Sequence, residues 1–136
     1  MIVYLDSSII LNWILSQPKS WKKWGKWTEA YTSQLALVEV FRTLDRLRLQ
    51  RGLSDEEVSD QRTDCSQVLA GLYVLEISSS VVEKASESFP VFVKSLDAIH
   101  LATAKIWQGR CPDLVFATHD KQQAVAARAI GLPVEP

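Results

Sequence analysis

Four acidic residues occupy positions where a charged side chain needs an explanation. Asp6 directly follows the apolar run IVYL, and Asp120 follows a second apolar run, LVFA, after two polar residues. Glu39 interrupts LALVEVF, and Asp97 is the only charge in SLDAIHLATA. Gathered carboxylates repel each other by about 4 kcal/mol for two unit charges ~4 Å apart at an effective dielectric near 20. A group of this kind therefore requires raised pKa values or a bound cation.

Oxygen ligands without a His or Cys cluster favour a hard ion, Mg²⁺ or Mn²⁺. Mg²⁺ bound by few carboxylates keeps several waters and often bridges to a phosphate, so attack of an activated water on a phosphodiester is the chemistry expected of the group. Each acid alone also has a structural explanation. Glu39 can pair with Arg42, Asp97 suits the positive end of a helix, and Asp120 suits an N-cap. Their joint placement favours a site.

The hydrophobic pattern alternates between short apolar runs and segments of helical periodicity. It predicts strands at 2–5, 30–33, 72–77, 114–117 and 132–134, and helices at 8–15, 18–29, 35–50, 54–69, 80–88, 96–107 and 121–130. Strands separated by helices indicate a parallel sheet with helices on both faces. Ligands of such sheets bind outside the carboxyl ends of the strands, where the strand order reverses. If their strands are neighbours, Asp6 and Asp120 face each other at that edge.

Several helix starts carry capping signals. Ser54 with Glu57 and Ser80 with Glu83 match the capping box, in which a serine and a glutamate three residues later satisfy free backbone N–H groups. Ser95 is the predicted N-cap of the helix that carries Asp97. These signals place Asp97 in a first turn.

Composition limits the classes of function. The chain of 136 residues suits one domain, and its net charge of −1 argues against nucleic-acid binding through the overall field, although a local basic patch remains possible. Cys65 and Cys111 match no zinc spacing and are expected to be reduced thiols of a cytosolic protein. The apolar start lacks a basic region and contains Asp6, so it does not resemble a signal peptide, and no run reaches the roughly 18 apolar residues of a membrane span.

The stretch PKSWKKWGKW combines tryptophans at every third position with lysines and no acid. Three interpretations stay open: RNA contact, a docking wall for an apolar partner segment, and a surface helix that packs its tryptophans on the core. The residues concerned are Lys19, Lys22, Lys23 and Lys26 with Trp21, Trp24 and Trp27.

A second basic run contains Arg42, which lies one helical turn from Glu39 and is placed to reach that acid or a bound phosphate. The remaining arginines of this run are expected on a solvated helix face. His100 and His119 lie beside the acids in sequence, but neither has a clear nucleophile partner, and local hydrogen bonding is the expected role of both.

Four segments, YLDSSIIL, SQLALVEVFRTL, SLDAIHLATA and VFATHDKQQAVAARAIGL, occur in an order and at separations that together resemble the PIN-domain ribonucleases. The similarity is strongest to the VapC-type toxins of bacterial toxin–antitoxin pairs, and it covers essentially the whole chain. The resemblance implies a single PIN domain over residues 1–136. The implied fold is a three-layer α/β/α sandwich with a short, mostly parallel sheet.

The resemblance also assigns roles within the site. Asp6, Glu39, Asp97 and Asp120 would form an acidic quartet that binds Mg²⁺ or Mn²⁺ and carries out the hydrolysis. The quartet's polar neighbours would be Thr118, which supports a ligand, and Ser7 or Ser8, which orients a carboxylate or a water.

One departure concerns the residues after Asp120. Some relatives carry a further acid there, whereas Lys121, Gln122 and Gln123 follow in this chain, so a second metal is not implied. The implied substrate is single-stranded or structured RNA, often tRNA. The implied partners are a small antitoxin whose peptide covers the pocket and a second copy of the chain, in the cytoplasm.

Two other functions fit an acidic α/β site. A phosphatase or phospho-acceptor domain would use Asp6 as nucleophile. The haloacid-dehalogenase pattern requires a second acid where Ser8 stands, and a receiver-type domain requires a lysine where Thr118 and His119 stand. A degenerate PIN module would bind RNA or protein without cutting, which the intact acidic quartet argues against.

Overall fold

A computed structural model describes residues 1–15 and 20–135 of the chain. Over these residues five strands form one parallel sheet in the order β3-β2-β1-β4-β5. The strands are β1 (Ile2–Leu5), β2 (Glu29–Ser33), β3 (Tyr73–Leu75), β4 (Leu114–Ala117) and β5 (Val134–Glu135). The helices are α1 (Ser7–Ile14), α2 (Gln34–Arg51), α3 (Asp55–Ala70), α4 (Ser79–Ala85), α5 (Ser95–Gln108) and α6 (Lys121–Ala129).

The sheet lies between two layers of helices, and these layers bury its central strand on both faces. Val3 and Leu5 pack into one cluster with residues of α1, α2 and α3. Tyr4 points to the opposite face and packs with residues of α5 and α6. The predicted arrangement of a parallel sheet between helices is confirmed.

The strand order reverses at the pair of β1 and β4, which follow each other in the sheet but not in the chain. Leu5 is in register with Ala117, and the backbone N–H of Asp6 donates to the Ala117 carbonyl at 3.2 Å. The residues after both strands therefore emerge side by side at one edge of the sheet. This is the edge at which parallel α/β sheets bind their ligands.

Two predicted caps are wrong. Ser78, rather than Ser80, has the extended backbone of an N-cap and accepts a hydrogen bond from the Val81 N–H, so Ser80 lies inside α4. Ser95 is the first residue of α5, and Lys94 before it makes no side-chain cap. The Ser54 cap is confirmed, since its hydroxyl accepts from the Glu57 N–H at 3.2 Å.

The helix predicted over 18–29 is wrong in the part that the structure describes. Pro18 and Lys19 lie outside the described residues, and residues 20–28 form turns in which Gly25 takes a φ of 75°. Trp21 is 4% exposed within the core, and Trp24 and Trp27 pack partly buried against the same cluster. The tryptophans thus pack on the core, but from a turn segment.

None of the helices in the described part of the chain is both long enough and apolar enough to cross a membrane.

Candidate active site

The carboxylate of Asp6 lies at the tip of β1, where its side chain also caps α1. Its Oδ1 accepts hydrogen bonds from the Ser8 hydroxyl at 2.6 Å and the Ile9 N–H at 3.2 Å, and its Oδ2 accepts from the Thr118 hydroxyl at 2.6 Å. The residue is 3% exposed. An ionised carboxylate offers about four acceptor positions. Three are used by the protein, so one position on Oδ2 remains for a ligand.

Thr118 connects this carboxylate to the start of α6. Its Oγ1 lies 3.0 Å from the Asp120 N–H and 2.8 Å from the side-chain amide of the buried Gln123. A hydroxyl has a single proton, which Thr118 gives to Asp6, so Gln123 must present its NH₂ group to Thr118. This orientation also gives a partner to an amide nitrogen that would otherwise be buried without one.

Asp120 caps α6, and its Oδ1 accepts from the Gln123 N–H at 2.8 Å. Asp97, in the first turn of α5, lines the same pocket as Asp120. The pocket also contains Phe92, Lys94 and Gln122, and its volume of about 60 Å³ has room for ordered water. Two acids from different helices therefore border one small open cavity.

Glu39 reaches the site from α2. Its Oε1 lies 2.5 Å from His100 Nε2, and His100 Nδ1 lies 2.8 Å from the hydroxyl of Tyr4. The side chain of His100 is 1% exposed and that of Glu39 is 23% exposed. The predicted alternative in which Glu39 pairs with Arg42 is wrong, because the Arg42 guanidinium binds Asp45 at 2.8 Å.

The pKa directions show that these acids act on one another. Burial raises the pKa of Asp97, and the negative charge of Asp120 raises it further, while His100 lowers it. Asp6 and Glu39 also raise the pKa of Asp97. Burial likewise raises the pKa of Asp6, against the lowering effect of its hydrogen bonds from Ser8 and Thr118. The structure thus brings the four predicted acids into one electrostatic neighbourhood.

The chemistry of this donor set suits a hydrated hard cation. Among the described residues, no group of three or more His, Cys, Asp or Glu side chains is arranged to hold a metal ion. Carboxylate oxygens nevertheless border an open cavity, and Asp6 keeps one free acceptor position. Mg²⁺ keeps several waters and requires only one or two protein carboxylates, so the residues fit this ion.

The remaining residues that were predicted to contribute to the site differ in the contacts they make. Ser8 binds Asp6, and its Oγ also accepts from the His119 N–H at 3.0 Å, whereas the Ser7 side chain makes no hydrogen bond among the described residues. Lys23 pairs with Glu135 at 2.6 Å. Lys22 and Lys26 are exposed on the turn segment, and Trp21 is too buried to meet a partner.

One contributor, Gln123, was not predicted, and the local hydrogen bonding expected of His100 is wrong. Gln123 is buried beside Thr118, and His100 binds Glu39 across the site. The signal for Gln123 was its position three residues after an N-cap acid. His100 lies one turn after Asp97, but no local sequence signal indicates its contact with Glu39.

The fold and the acidic edge define an α/β protein with a carboxylate site at the switch point of a parallel sheet. The chain belongs to the PIN domain family, whose model matches residues 3–129. Two relatives from Mycobacterium tuberculosis are similar over nearly the full length. "Ribonuclease VapC46" is 30% identical over 97% of this chain and 95% of its own, and "Ribonuclease VapC47" is 28% identical over 96% and 93%.

A solved structure, "Toxin-antitoxin complex from Klebsiella pneumoniae", has the same fold. It superposes with a TM-score of 0.69 at 16% identity and covers 98% of this chain and 96% of its own.

Proposed function

We propose that this protein is a metal-dependent endoribonuclease that acts as the toxin of a toxin–antitoxin pair. One observation carries the proposal: in a PIN-domain chain, Asp97 and Asp120 line one open pocket, where burial and the charges of Asp120, Asp6 and Glu39 raise the pKa of Asp97. The two relatives named as ribonucleases support this class of reaction. The proposed unit is a single PIN domain over residues 1–136.

The proposed cofactor is Mg²⁺ or Mn²⁺, held by Asp6, Asp97 and Asp120, with Glu39 as a further ligand or as the residue that positions the attacking water. Such an ion supplies charge neutralisation at the phosphodiester and a more acidic water for the attack. The protein's own contribution is to fix the carboxylates. Asp6 has three hydrogen bonds that leave one acceptor position free, and Asp120 is fixed by the Gln123 N–H.

The rim of the pocket offers contacts for a nucleotide. Phe92 is 73% exposed, and its carbonyl accepts from the Gln122 side chain at 3.1 Å, which fixes the backbone there. Lys94 lies on the same pocket. An exposed aromatic ring stacks on a base, and a nearby lysine meets a phosphate. These two residues are further candidates for RNA contact. They add to Arg42, Lys22, Lys23 and Lys26, of which Arg42 and Lys23 are paired with acids.

The proposed protein partners are a small antitoxin, which would cover the acidic pocket, and a second copy of the chain. The similarity to a toxin–antitoxin complex supports the first partner. Both associations are measurable by light scattering coupled to size exclusion, first on the toxin alone and then with the antitoxin added.

A phospho-acceptor role for Asp6 is less well supported. Asp6 is 3% exposed, and its one free acceptor position lies on Oδ2, which already accepts from Thr118. A nucleophilic carboxylate must reach the phosphorus atom with a free oxygen.

The decisive experiment compares RNA cleavage by wild type and Asp6→Asn, with added Mn²⁺ and with EDTA, and maps the fragment ends. The proposal expects cleavage that depends on the metal and on Asp6. Cleavage that persists in EDTA overturns the metal dependence. RNA binding without cleavage, in protein that titrates no Mn²⁺, favours the binding-module alternative. An acyl-phosphate at Asp6 favours the phospho-acceptor.

A further inference from the structure

A buried hydrogen-bonded chain runs from the central strand to Glu39. Tyr4 of β1 is fully buried, and its ring stacks on Phe116 of the neighbouring strand. Its hydroxyl meets His100 Nδ1 at 2.8 Å, and His100 Nε2 meets Glu39 Oε1 at 2.5 Å. The chain links three separate parts of the fold: a strand, α5 and α2.

The protonation pattern of this chain follows from its chemistry. An ionised Glu39 can only accept, so His100 Nε2 must carry the proton that it donates. The Tyr4 hydroxyl lies 2.8 Å from Nδ1 and can donate its proton to that nitrogen. With its proton on Nε2, His100 gives Glu39 a donor and leaves Nδ1 as an acceptor for Tyr4.

We propose that His100 is a positioning residue. Its contact with Tyr4 fixes the imidazole ring, and the ring holds the carboxylate of Glu39 in the orientation that points into the acidic site. This inference rests on the proposed nuclease function. Among the four acids, Asp6 and Asp120 are each fixed by capping hydrogen bonds at a helix start. Glu39 lies inside α2 on a longer side chain, and His100 provides its contact within the described residues.

The orientation of a ligand carboxylate by a hydrogen-bonded neighbour is worth about 10–100-fold in metal affinity or activity in other metal sites. The alternative is that His100 only fills space and satisfies Tyr4. The two possibilities differ in which ring nitrogen matters. Positioning depends on Nε2, which faces Glu39, whereas a purely structural role depends equally on Nδ1, which faces Tyr4.

Two substitutions of His100 distinguish the roles of its two ring nitrogens. The amide of glutamine extends as many bonds from Cβ as Nε2, so His100→Gln keeps a donor for Glu39 and gives up the contact with Tyr4. The amide of asparagine extends only as far as Nδ1, so His100→Asn keeps the contact with Tyr4 and gives up the one with Glu39. Both variants leave a polar group in the same buried place, so they are matched in their effect on the core.

The measurements are kcat and KM for RNA cleavage, the dissociation constant of Mn²⁺ by calorimetry without RNA, and the thermal midpoint. We expect His100→Asn to lose about 10–100-fold in kcat or in Mn²⁺ affinity. We expect His100→Gln to lose less than His100→Asn in both quantities, because it keeps the donor to Glu39 and gives up only the contact with Tyr4. Each variant lowers the thermal midpoint. Equal losses in the two variants, or a greater loss in His100→Gln, overturn the proposal.

A second test does not depend on His100→Asn folding well. In a Glu39→Gln background, His100→Gln must not weaken Mn²⁺ binding further, because the carboxylate that His100 orients is gone. Tyr4→Phe keeps the stacked ring and removes the hydroxyl that fixes Nδ1, and it is expected to weaken Mn²⁺ binding through the same chain. Unchanged Mn²⁺ binding in Tyr4→Phe counts against the proposed positioning of Glu39 by Tyr4 and His100. Failure of wild type itself to cleave RNA or bind Mn²⁺ would instead reject the proposed function.

Discussion

The hydroxyl of Thr118 donates to Asp6 Oδ2 at 2.6 Å, although 112 residues separate the two in the chain. The contact joins the ends of β1 and β4, at the point where the strand order reverses. Through Asp120 and Gln123, the same hydroxyl also fixes the start of α6. One small side chain therefore links the buried acid to the exposed one.

Thr118→Val removes this hydroxyl and keeps the shape of the side chain. Asp6, the Asp120 N–H and Gln123 each lose a partner in a buried place, so we expect the free energy of unfolding to fall by about 1–3 kcal/mol. RNA cleavage is expected to fall as well. Denaturant unfolding and cleavage assays check both. Thr118→Ser keeps the hydroxyl and is the matched control; a Thr118→Ser as damaged as Thr118→Val would contradict the assignment.

Asp97→Asn is expected to abolish RNA cleavage while leaving the metal-free fold at least as stable as wild type. The Asp97 side chain makes no hydrogen bond among the described residues, and its pKa is raised by burial and by Asp120. Removal of its charge therefore relieves repulsion without breaking a contact. Circular dichroism, thermal unfolding and Mn²⁺ titration check the result. A marked loss of stability would mean that the carboxylate has a structural partner.

The metal-free protein is expected to lose stability as the pH rises. Asp6 and Asp97 have pKa values above the ordinary value in the folded chain, so the folded state binds their protons more tightly than the unfolded state. This contribution is fully present below the unfolded pKa, near 4, and it is lost as the pH rises through the raised values. Denaturant unfolding in EDTA at several pH values measures the slope.

Two comparisons isolate this effect from other titrating groups. The double variant Asp6→Asn/Asp97→Asn should show a smaller decline over the same pH range, since neither amide titrates. Saturating Mn²⁺ should also reduce the decline in wild type, because a bound cation favours the ionised carboxylates. A decline that is the same in all three conditions would show that other groups cause it.

Phe92→Ala is expected to raise KM for RNA with little change in kcat, because a base stacked on the rim contributes binding before and during the reaction alike. Loss of one stacked base costs about 1–3 kcal/mol of binding. Steady-state kinetics on a short RNA checks this. Leu49→Ala is a control of similar exposure, 72% against 73%, on α2 outside the pocket. Phe92→Ala with unchanged KM would remove the ring from the substrate path.

The sequence predicted the sheet and the four acids because local signals were strong. A fully apolar run that is followed by an acid, as at Asp6, indicates both a buried strand and the position of its carboxyl end. The register of β1 against β4 then brought Asp6 and Thr118 together. Predicted helix starts were less reliable, since runs of serine such as Ser78 to Ser80 offer several equivalent caps.

Contacts between residues that are distant in the chain could not be predicted from the sequence. Nothing local indicates that His100 reaches Glu39, 61 residues away, because this depends on how α2 and α5 meet over the sheet. The prediction of a helix around Trp21 failed for a related reason. Aromatic residues at every third position fit a helix and a tight turn equally well, and only the position of the core decides between them.

The Asp6 side chain caps the N-terminus of α1, and the same side chain is proposed to bind the cation. A substitution that removes the proposed activity at this position can therefore also affect the stability of the fold. Asparagine remains a competent cap, whereas alanine gives up the cap together with the charge. The amide replacement is therefore the variant to use for capturing the proposed RNA substrate or the proposed antitoxin with a folded, inactive protein.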